Sequence, residues 1–393
     1  MISVNEAITI VHNNTAPTKD SEVKKVIEAL GCTIFEDVLS PIDMPPFRQS
    51  AMDGYALNMN GNGIYTIIGE VKAGDSHHPI LKKGNAVRIY TGAAVPDTAN
   101  AVVMQERTSV EDNVLKIDSD VIINSNIRPL GEQVHKGQIA LKKGTRLTPA
   151  GIAFLTSLGI TDVRVYQRPS IAIVVTGNEL ASPGQDLAYG QIYESNGIML
   201  NASLRNLGFD KVSMQVVSDD FQDTLETLNN VIANNDFILV SGGISVGDYD
   251  FVGKALNEIG VEELFYKVNQ KPGKPLFFGK KDNKLIFALP GNPAAALSCF
   301  YIYVYPALQK RCGNENFSLC RTIAICECNF IKKRDRPEFL KAIYKNGKVE
   351  LLEGQNSSML HTFALANAFV YAPETTETIK INDTVEVILL PIN

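Results

Sequence analysis

The six cysteines, Cys32, Cys299, Cys312, Cys320, Cys326 and Cys328, include no C-x-x-C pair, so their spacing does not support a zinc site. Cys326 and Cys328 would share one face of a strand, and the set reads as the reduced thiols of a cytoplasmic protein. The opening MISVNEAITIVHN lacks a basic segment and a long apolar run, which argues against a signal peptide. The most apolar late stretch, Ala294–Leu308, is too short to span a bilayer and contains Pro306, so it is expected to be a buried or interface helix. Positive charge is not in excess: 37 Lys and Arg face 43 Asp and Glu, a net charge of −6. That balance argues against coating nucleic acid, and any anionic substrate needs a locally built positive pocket. There is no Gly-Lys-Ser/Thr Walker loop, no G-x-G-x-x-G, and no readable Ser/His/Asp or Cys/His arrangement. His77 and His78 are adjacent, would point apart on a strand, and read as solvent-exposed.

What is present is enough chain for two to four domains, with 393 residues of ordinary globular composition. Ser3 followed by Glu6 is a capping signature for a first helix through Ala7, Ile8 and Val11. A second helix is expected from the stripe Val23, Val26, Ile27 and Leu30, capped by Asp20 or Ser21 and stopped by Gly31. The segment SPIDMPPF, 40–47, has three prolines and reads as an extended connector. From about Tyr65 to Leu147 short β-branched runs alternate with Gly, Asn and Asp, Val121–Ile123 among them. An LKKG turn recurs at Leu81–Gly84 and Leu141–Gly144. Pro149–Leu158 looks helical and ends at Gly159, so the first domain is expected in two pieces around a β-insert.

From Ser170 the character changes. Ile171–Val175, Phe237–Val240 and Leu285–Leu289 are unbroken apolar runs, each followed by a glycine loop and a plausible helix. This is the pattern of a doubly wound parallel sheet buried on both faces. After Cys312, five β-like runs suggest a small barrel or sandwich, with a short helix within Met359–Asn367.

In an open α/β sheet ligands sit beyond the carboxyl ends of the strands. Three loops occupy that position: Thr176–Glu179, Ser241–Asp250 and Leu289–Pro293. In the second, Gly242 and Gly243 let backbone N–H groups approach a phosphate, and Ser241 and Ser245 add hydroxyls. Glu179, Asp219, Asp220, Asp248 and Asp250 gather at the same edge, a hard-oxygen set suited to Mg²⁺ beside a phosphate, although Asp219 or Asp220 could instead cap the following helix. Lys267, Lys271 and Lys274 surround the stiff segment KPGKP and form a candidate oxyanion clamp.

Taken in order, SAMDGYA (50–56), RIYTGAAVP (88–96), AVVMQE (101–106), GEQVHKG (131–137), TGNEL (176–180), SGGISVGDYD (241–250), KPGKP (271–275) and LPGNPAA (289–295) resemble the molybdopterin molybdenumtransferases, the family that includes the gephyrin E domain. The resemblance runs almost end to end. It implies a multidomain α/β and β chain. Residues 1–42 and 140–166 would form a discontinuous helical domain and 43–139 a β-rich insert domain. Residues 167–311 would form a doubly wound α/β molybdopterin-binding domain, and 312–393 a C-terminal β-barrel domain. It further implies an elongated homodimer with its active site between the α/β domain of one subunit and the insert of the other. The residues it assigns to catalysis are Asp53, Thr91, Glu179, Asp219, Asp250, Lys267 and Lys271, with Glu179, Asp219 and Asp250 toward Mg²⁺. Gly242, Gly243, Ser245, Lys274, Pro290, Pro293, Arg336 and Ser357 would hold the pterin substrate, and Arg128 matches a further basic position. The implied reaction joins molybdate to adenylylated molybdopterin and releases AMP, with possible contact to the molybdopterin adenylyltransferase and none to nucleic acid or membrane. This chain has Asn178 where the family usually has Asp, Lys341 where Arg is common, and Thr362 where Ser is common. A nucleotide-type hydrolase sharing the α/β domain would not need SAMDGYA or TGAAVP. A scaffold would need further partner-binding regions. Tungstate in place of molybdate stays open, because both are tetrahedral dianions.

Overall fold

The computed structural model describes residues 1–118, 120–244, 251–333 and 335–392, which fold as two compact units, residues 23–165 and residues 1–22 with 166–393.

The first unit is built on a six-stranded sheet. Its strand order is Ala101–Met104, Gly54–Leu57, Asn85–Ile89, Ile64–Val71, Val114–Ile117 and Thr108–Glu111. The period of two sends Ala56, Val87, Ile89 and Val102 to one core and Leu57, Ala86, Val103 and Leu115 to another. The LKKG repeats are the same turn: Asn85 N–H donates to Lys82 O and Thr145 N–H to Lys142 O. Helix Pro149–Ser157 starts as its sequence suggests, with Pro149 in the first turn and the Thr148 hydroxyl accepting Gly151 N–H. Its Leu155 shares a small core with Val26, Cys32, Ile34, Leu147 and Val163, so chain from before and after the sheet is packed together.

Three expectations fail here. The stripe Val23–Leu30 is not a helix: Ser21–Lys25 is extended and Val26–Glu28 is a single 3₁₀ turn. Val26 N–H donates to Thr161 O, a distant partner that a helical period cannot reveal. Only Val26 of the stripe is buried, while Val23, Ile27 and Leu30 face solvent. Val121–Ile123 forms no strand, and Ile122 is exposed. His77 and His78 lie on an exposed loop instead of a strand.

The second unit contains the α/β sheet, in the order Val212–Val217, Ile171–Thr176, Phe237–Ser241, Lys284–Leu289, Phe277–Lys281 and Glu262–Tyr266. The first four run parallel, and Phe277–Lys281 is antiparallel both to Lys284–Leu289, to which the tight turn at Asp282 joins it, and to Glu262–Tyr266. Alternate residues serve opposite faces. Ile173, Val175, Leu239 and Phe287 pack with Leu200 and Leu204, whereas Val174, Ile238, Val240 and Ile286 pack with Leu228, Val231 and Leu256. The sheet is therefore doubly wound, as its unbroken apolar strands require. Helix Val4–Asn14, with the Ser3–Glu6 capping box, packs Val4, Ala7 and Val11 into this core, and so belongs with the α/β unit. The stretch Ala294–Leu308 is buried helix, relaxed by a π turn at Phe300–Val304.

The last part is a closed barrel of Arg321–Cys326, Lys348–Leu351, Glu338–Lys345, Ala368–Ala372 and Thr384–Leu389. Leu340, Ala342, Val349 and Val370 fill it, while Phe339, Phe369 and Ile388 join the α/β core. Lys341 is also buried. Its Nζ donates to Gly354 O and Met359 O at 2.8 and 2.9 Å, which secures the loop carrying Ser357. Burial pushes the Lys341 ammonium down to about 8. An unfolded lysine keeps its proton to about 10.4, so between these values unfolding takes up a proton. The contribution of Lys341 to stability therefore rises from about pH 8 to about pH 10.5, and below pH 8 the charged form carries its full burial cost. Denaturant melts of wild type and Lys341→Met should diverge in favour of wild type by roughly 1–3 kcal/mol over that window. A difference that stays flat with pH would mean that the carbonyl cage keeps the ammonium charged.

Candidate active site

The strand order reverses between Ile171–Thr176 and Phe237–Ser241, and a cavity of about 790 Å³ opens at the carboxyl ends of these strands. This is where a doubly wound sheet leaves room for a ligand, because the connections on either side run in opposite directions. Thr176, Gly177 and Glu179 line it from the first loop, Asp219 from the loop after Val212–Val217, Ser241–Ile244 from the glycine loop, and Pro290–Pro293 from the last loop. Gly242, Gly243, Pro290, Pro293, Glu179 and Asp219 are thus brought together as the motifs suggest. Ser245 and Asp250 lie outside the described residues.

The two acids differ in how they are held. Asp220 caps helix Phe221–Asn234 by accepting Asp223 N–H, which leaves Asp219 to the cavity. Asp219 and Asn178 bond reciprocally: Asp219 N–H donates to Asn178 Oδ1 at 2.9 Å, and Asn178 N–H donates to Asp219 Oδ2 at 3.3 Å. A carboxylate at 178 could accept the same bond but would set a second negative charge beside Asp219. Asn178 thus preserves the loop geometry with one charge fewer.

A second cavity, of about 550 Å³, adjoins the first and shares Pro275, Pro290, Asn292 and Ser358 with it. Lys271, Lys274, Lys333, Arg336 and Ser357 line it, so the local positive pocket that a net acidic protein needs is present. Ser357 Oγ accepts Asn292 Nδ2–H at 3.1 Å, and Ser357 O accepts Ala295 N–H, tying the barrel to the last loop of the sheet. Lys271 is not a free clamp. Its Nζ lies 3.1 and 3.3 Å from the carboxylate oxygens of Glu338, which is 1% exposed. The loop backbone is also fixed there, with Lys271 N–H donating to Pro337 O and Phe339 N–H to Lys271 O. Lys267 lines neither cavity: its Nζ stands 4.6 Å above the Tyr266 ring, and the Tyr266 hydroxyl donates to Ile244 O. Glu338, Lys333 and Ser358 are site residues that sequence reading did not single out; Glu338 lies 67 residues from its lysine, and no local pattern reports such a pair.

In the other unit Asp53 and Thr91 form a bonded pair, with Asp53 Oδ1 accepting Thr91 N–H at 2.7 Å and its hydroxyl at 2.8 Å. These bonds hold the Asp53 carboxyl below the usual carboxylate range. Arg128 is exposed and donates to Gln49 Oε1 at 3.4 Å.

Glu179 and Asp219 supply hard oxygens on one wall. Among the described residues no group of three His, Cys, Asp or Glu could hold a metal ion. Two protein carboxylates nonetheless fit Mg²⁺, which usually completes its shell with substrate phosphates and water. Cys326 and Cys328 have sulfurs 3.9 Å apart with no third ligand among the described residues.

Comparison with known proteins matches residues 2–159 to the MoeA N-terminal region (domain I and II), 172–310 to a probable molybdopterin binding domain, and 324–390 to the MoeA C-terminal region (domain IV). The chain belongs to the MoeA family. The MoeA-family relative named molybdopterin molybdenumtransferase from Haemophilus influenzae is 32% identical, with 94% of each chain covered. One from Staphylococcus epidermidis is 32% identical, covering 100% of this chain and 96% of that protein. Among solved structures, the molybdopterin biosynthesis moeA protein from Pyrococcus horikoshii OT3 superposes with a TM-score of 0.86 at 29% identity, covering 99% of this chain and 100% of that one. The MoeA architecture, an α/β domain with a closed barrel following it and a β-rich insert before it, is the one described above. No helix among the described residues is long and apolar enough to cross a membrane.

Proposed function

We propose that this MoeA-family chain is a molybdopterin molybdenumtransferase that inserts molybdate into adenylylated molybdopterin and releases AMP. The observation that carries this reading is the pair of adjoining cavities, one walled by a glycine loop and two carboxylates, the other by lysines and an arginine. An adenylylated pterin dithiolene is long and anionic, and molybdate is a compact dianion. The first cavity suits the pterin and its pyrophosphate, and the second suits the oxyanion. Gly242 N–H is spent on Leu289 O, and the positive φ at Gly242 and Gly243 lets the loop backbone approach the phosphate with Gly243 N–H as its donor, as glycine loops at strand ends do. Lys274 and Arg336 hold the molybdate dianion, while Lys271, bonded to Glu338, fixes the KPGKP side of that cavity. Glu179 and Asp219 would hold Mg²⁺, with Asp250 the third acid that the family resemblance assigns, and the ion would supply neutralisation of phosphate charge. Positioning of two charged reactants within one crevice is the main contribution asked of the protein. Asp53 and Thr91 are supplied by a second copy of the chain in a homodimer, and the adenylyltransferase that makes the substrate is a candidate transient partner.

Purified protein given adenylylated molybdopterin, molybdate and Mg²⁺ should release AMP, and chelation of the divalent ion should stop it. Asp219→Asn should slow release by about tenfold to hundredfold, since it removes a ligand charge. AMP release no faster than without protein, with both substrate and fold intact, would remove the transferase reading.

A further inference from the structure

Glu194 is 5% exposed, yet it lines the glycine-loop cavity. Its Oε1 accepts Gly197 N–H at 2.7 Å, which pins the carboxylate at the start of helix Asn196–Asn206. Among the described residues it has no cationic partner, and its Oε2 makes no hydrogen bond. A buried carboxylate without a counter-charge is costly, and a cavity wall is an odd place to keep one without a ligand. Beside it, Asn196 donates both Nδ2 hydrogens, to Ser241 Oγ at 2.8 Å and Gly291 O at 2.7 Å. Those bonds settle which way the amide faces and leave Asn196 Oδ1 buried without a partner, as Thr176 Oγ1 is also. This wall is therefore rich in acceptors.

We propose that Glu194, supported by Asn196, reads the 2-amino-4-oxo edge of the pterin ring and so decides which end of the substrate enters this cavity. The inference rests on the substrate reading above. The pterin edge sets an exocyclic NH₂ beside a ring N–H, two donors side by side, which a carboxylate matches with its oxygens. Adenine, at the other end of the same substrate, offers a donor beside an acceptor on either hydrogen-bonding edge, a pattern that suits an amide. Against Glu194 an adenine edge would set a ring lone pair against a carboxylate oxygen. The wall therefore accepts the pterin and turns the adenosine outward.

The test is equilibrium binding of pterin (2-amino-4-oxopteridine) and lumazine (2,4-dioxopteridine) to the full chain, followed by their fluorescence. Lumazine puts a carbonyl where pterin has its amino group. Wild type is expected to prefer pterin by at least about tenfold, since lumazine forfeits a charge-assisted bond. Glu194→Gln keeps an oxygen for Gly197 N–H and places an NH₂ where Oε2 stood. It should close or invert that ratio, with AMP affinity held within about twofold. Equal binding of both pteridines by wild type overturns the proposal, and that arm needs no variant. So does an unchanged ratio in Glu194→Gln, or an equal loss of pterin and AMP affinity, which would mark Glu194 as structural only. AMP release by wild type, measured separately, tests the transferase reading, and a protein that releases AMP without discriminating the pteridines refutes this inference alone.

Discussion

Gly242→Ala is expected to lower AMP release at least hundredfold and to cost about 2–4 kcal/mol of stability. Gly242 has φ +97°, and a Cβ there would stand 2.5 Å from the Thr176 carbonyl oxygen and 2.9 Å from its hydroxyl. The carbonyl belongs to the end of a central strand, so it cannot move aside as a flexible side chain would. Gly242 N–H also donates to Leu289 O, so displacing the loop strains a second strand end. Gly190 separates conformational strain from the clash. It has φ +87° with nothing within 4 Å of an added Cβ, so Gly190→Ala should cost only about 1 kcal/mol. Urea melts of both variants and single-turnover AMP release decide the matter. Activity within threefold of wild type in Gly242→Ala would show that this loop is not the phosphate cradle.

The Lys271–Glu338 pair is expected to respond asymmetrically. Lys271→Ala leaves a carboxylate that is 1% exposed without its cation, and should cost about 3 kcal/mol unless the carboxyl takes up a proton. Glu338→Gln leaves an ammonium whose side chain is 33% exposed and can turn to water, so about 1 kcal/mol is expected. The double variant Lys271→Ala with Glu338→Gln should cost clearly less than the two single losses added, because neither charge is then stranded. Chemical denaturation of the four proteins gives the coupling directly. Additive losses would show that the pair contributes no more than a surface ion pair. Lys271→Ala is thus expected to impair turnover partly by loosening the KPGKP loop, whose backbone bonds Pro337 and Phe339 on the barrel side.

Much of this site could be read along the chain because its backbone geometry is encoded locally. The unbroken apolar runs at Ile171, Phe237 and Leu285 place the glycine loops at strand ends, whatever packs against them. Capping is equally local: Ser3 and Glu6, and Thr148 with Pro149, behave as their spacing requires. Whether Asp219 or Asp220 caps the next helix was not legible, because either can reach the N–H groups. The fold gives that task to Asp220. The stripe at Val23–Leu30 misleads for a related reason: it has a helical period, but the Val26 N–H finds Thr161 and the segment is drawn out. Lys267 shares a basic segment with Lys271 and Lys274, yet a left-handed backbone at φ 71° turns it over Tyr266 and away from both cavities.

The strands and helices of the α/β sheet, the glycine positions at the strand ends and the family were determined by the order of residues alone, since each depends on periodicity, capping or backbone freedom within a few positions. Which charges are free and which are spent was decided only in three dimensions. Lys271 is compensated by Glu338, Lys341 is caged by carbonyls, and Glu194 is left without a cation among the described residues. The energy of a charge is set by what surrounds it and how far water is excluded, and in this chain those neighbours come from segments far apart in sequence.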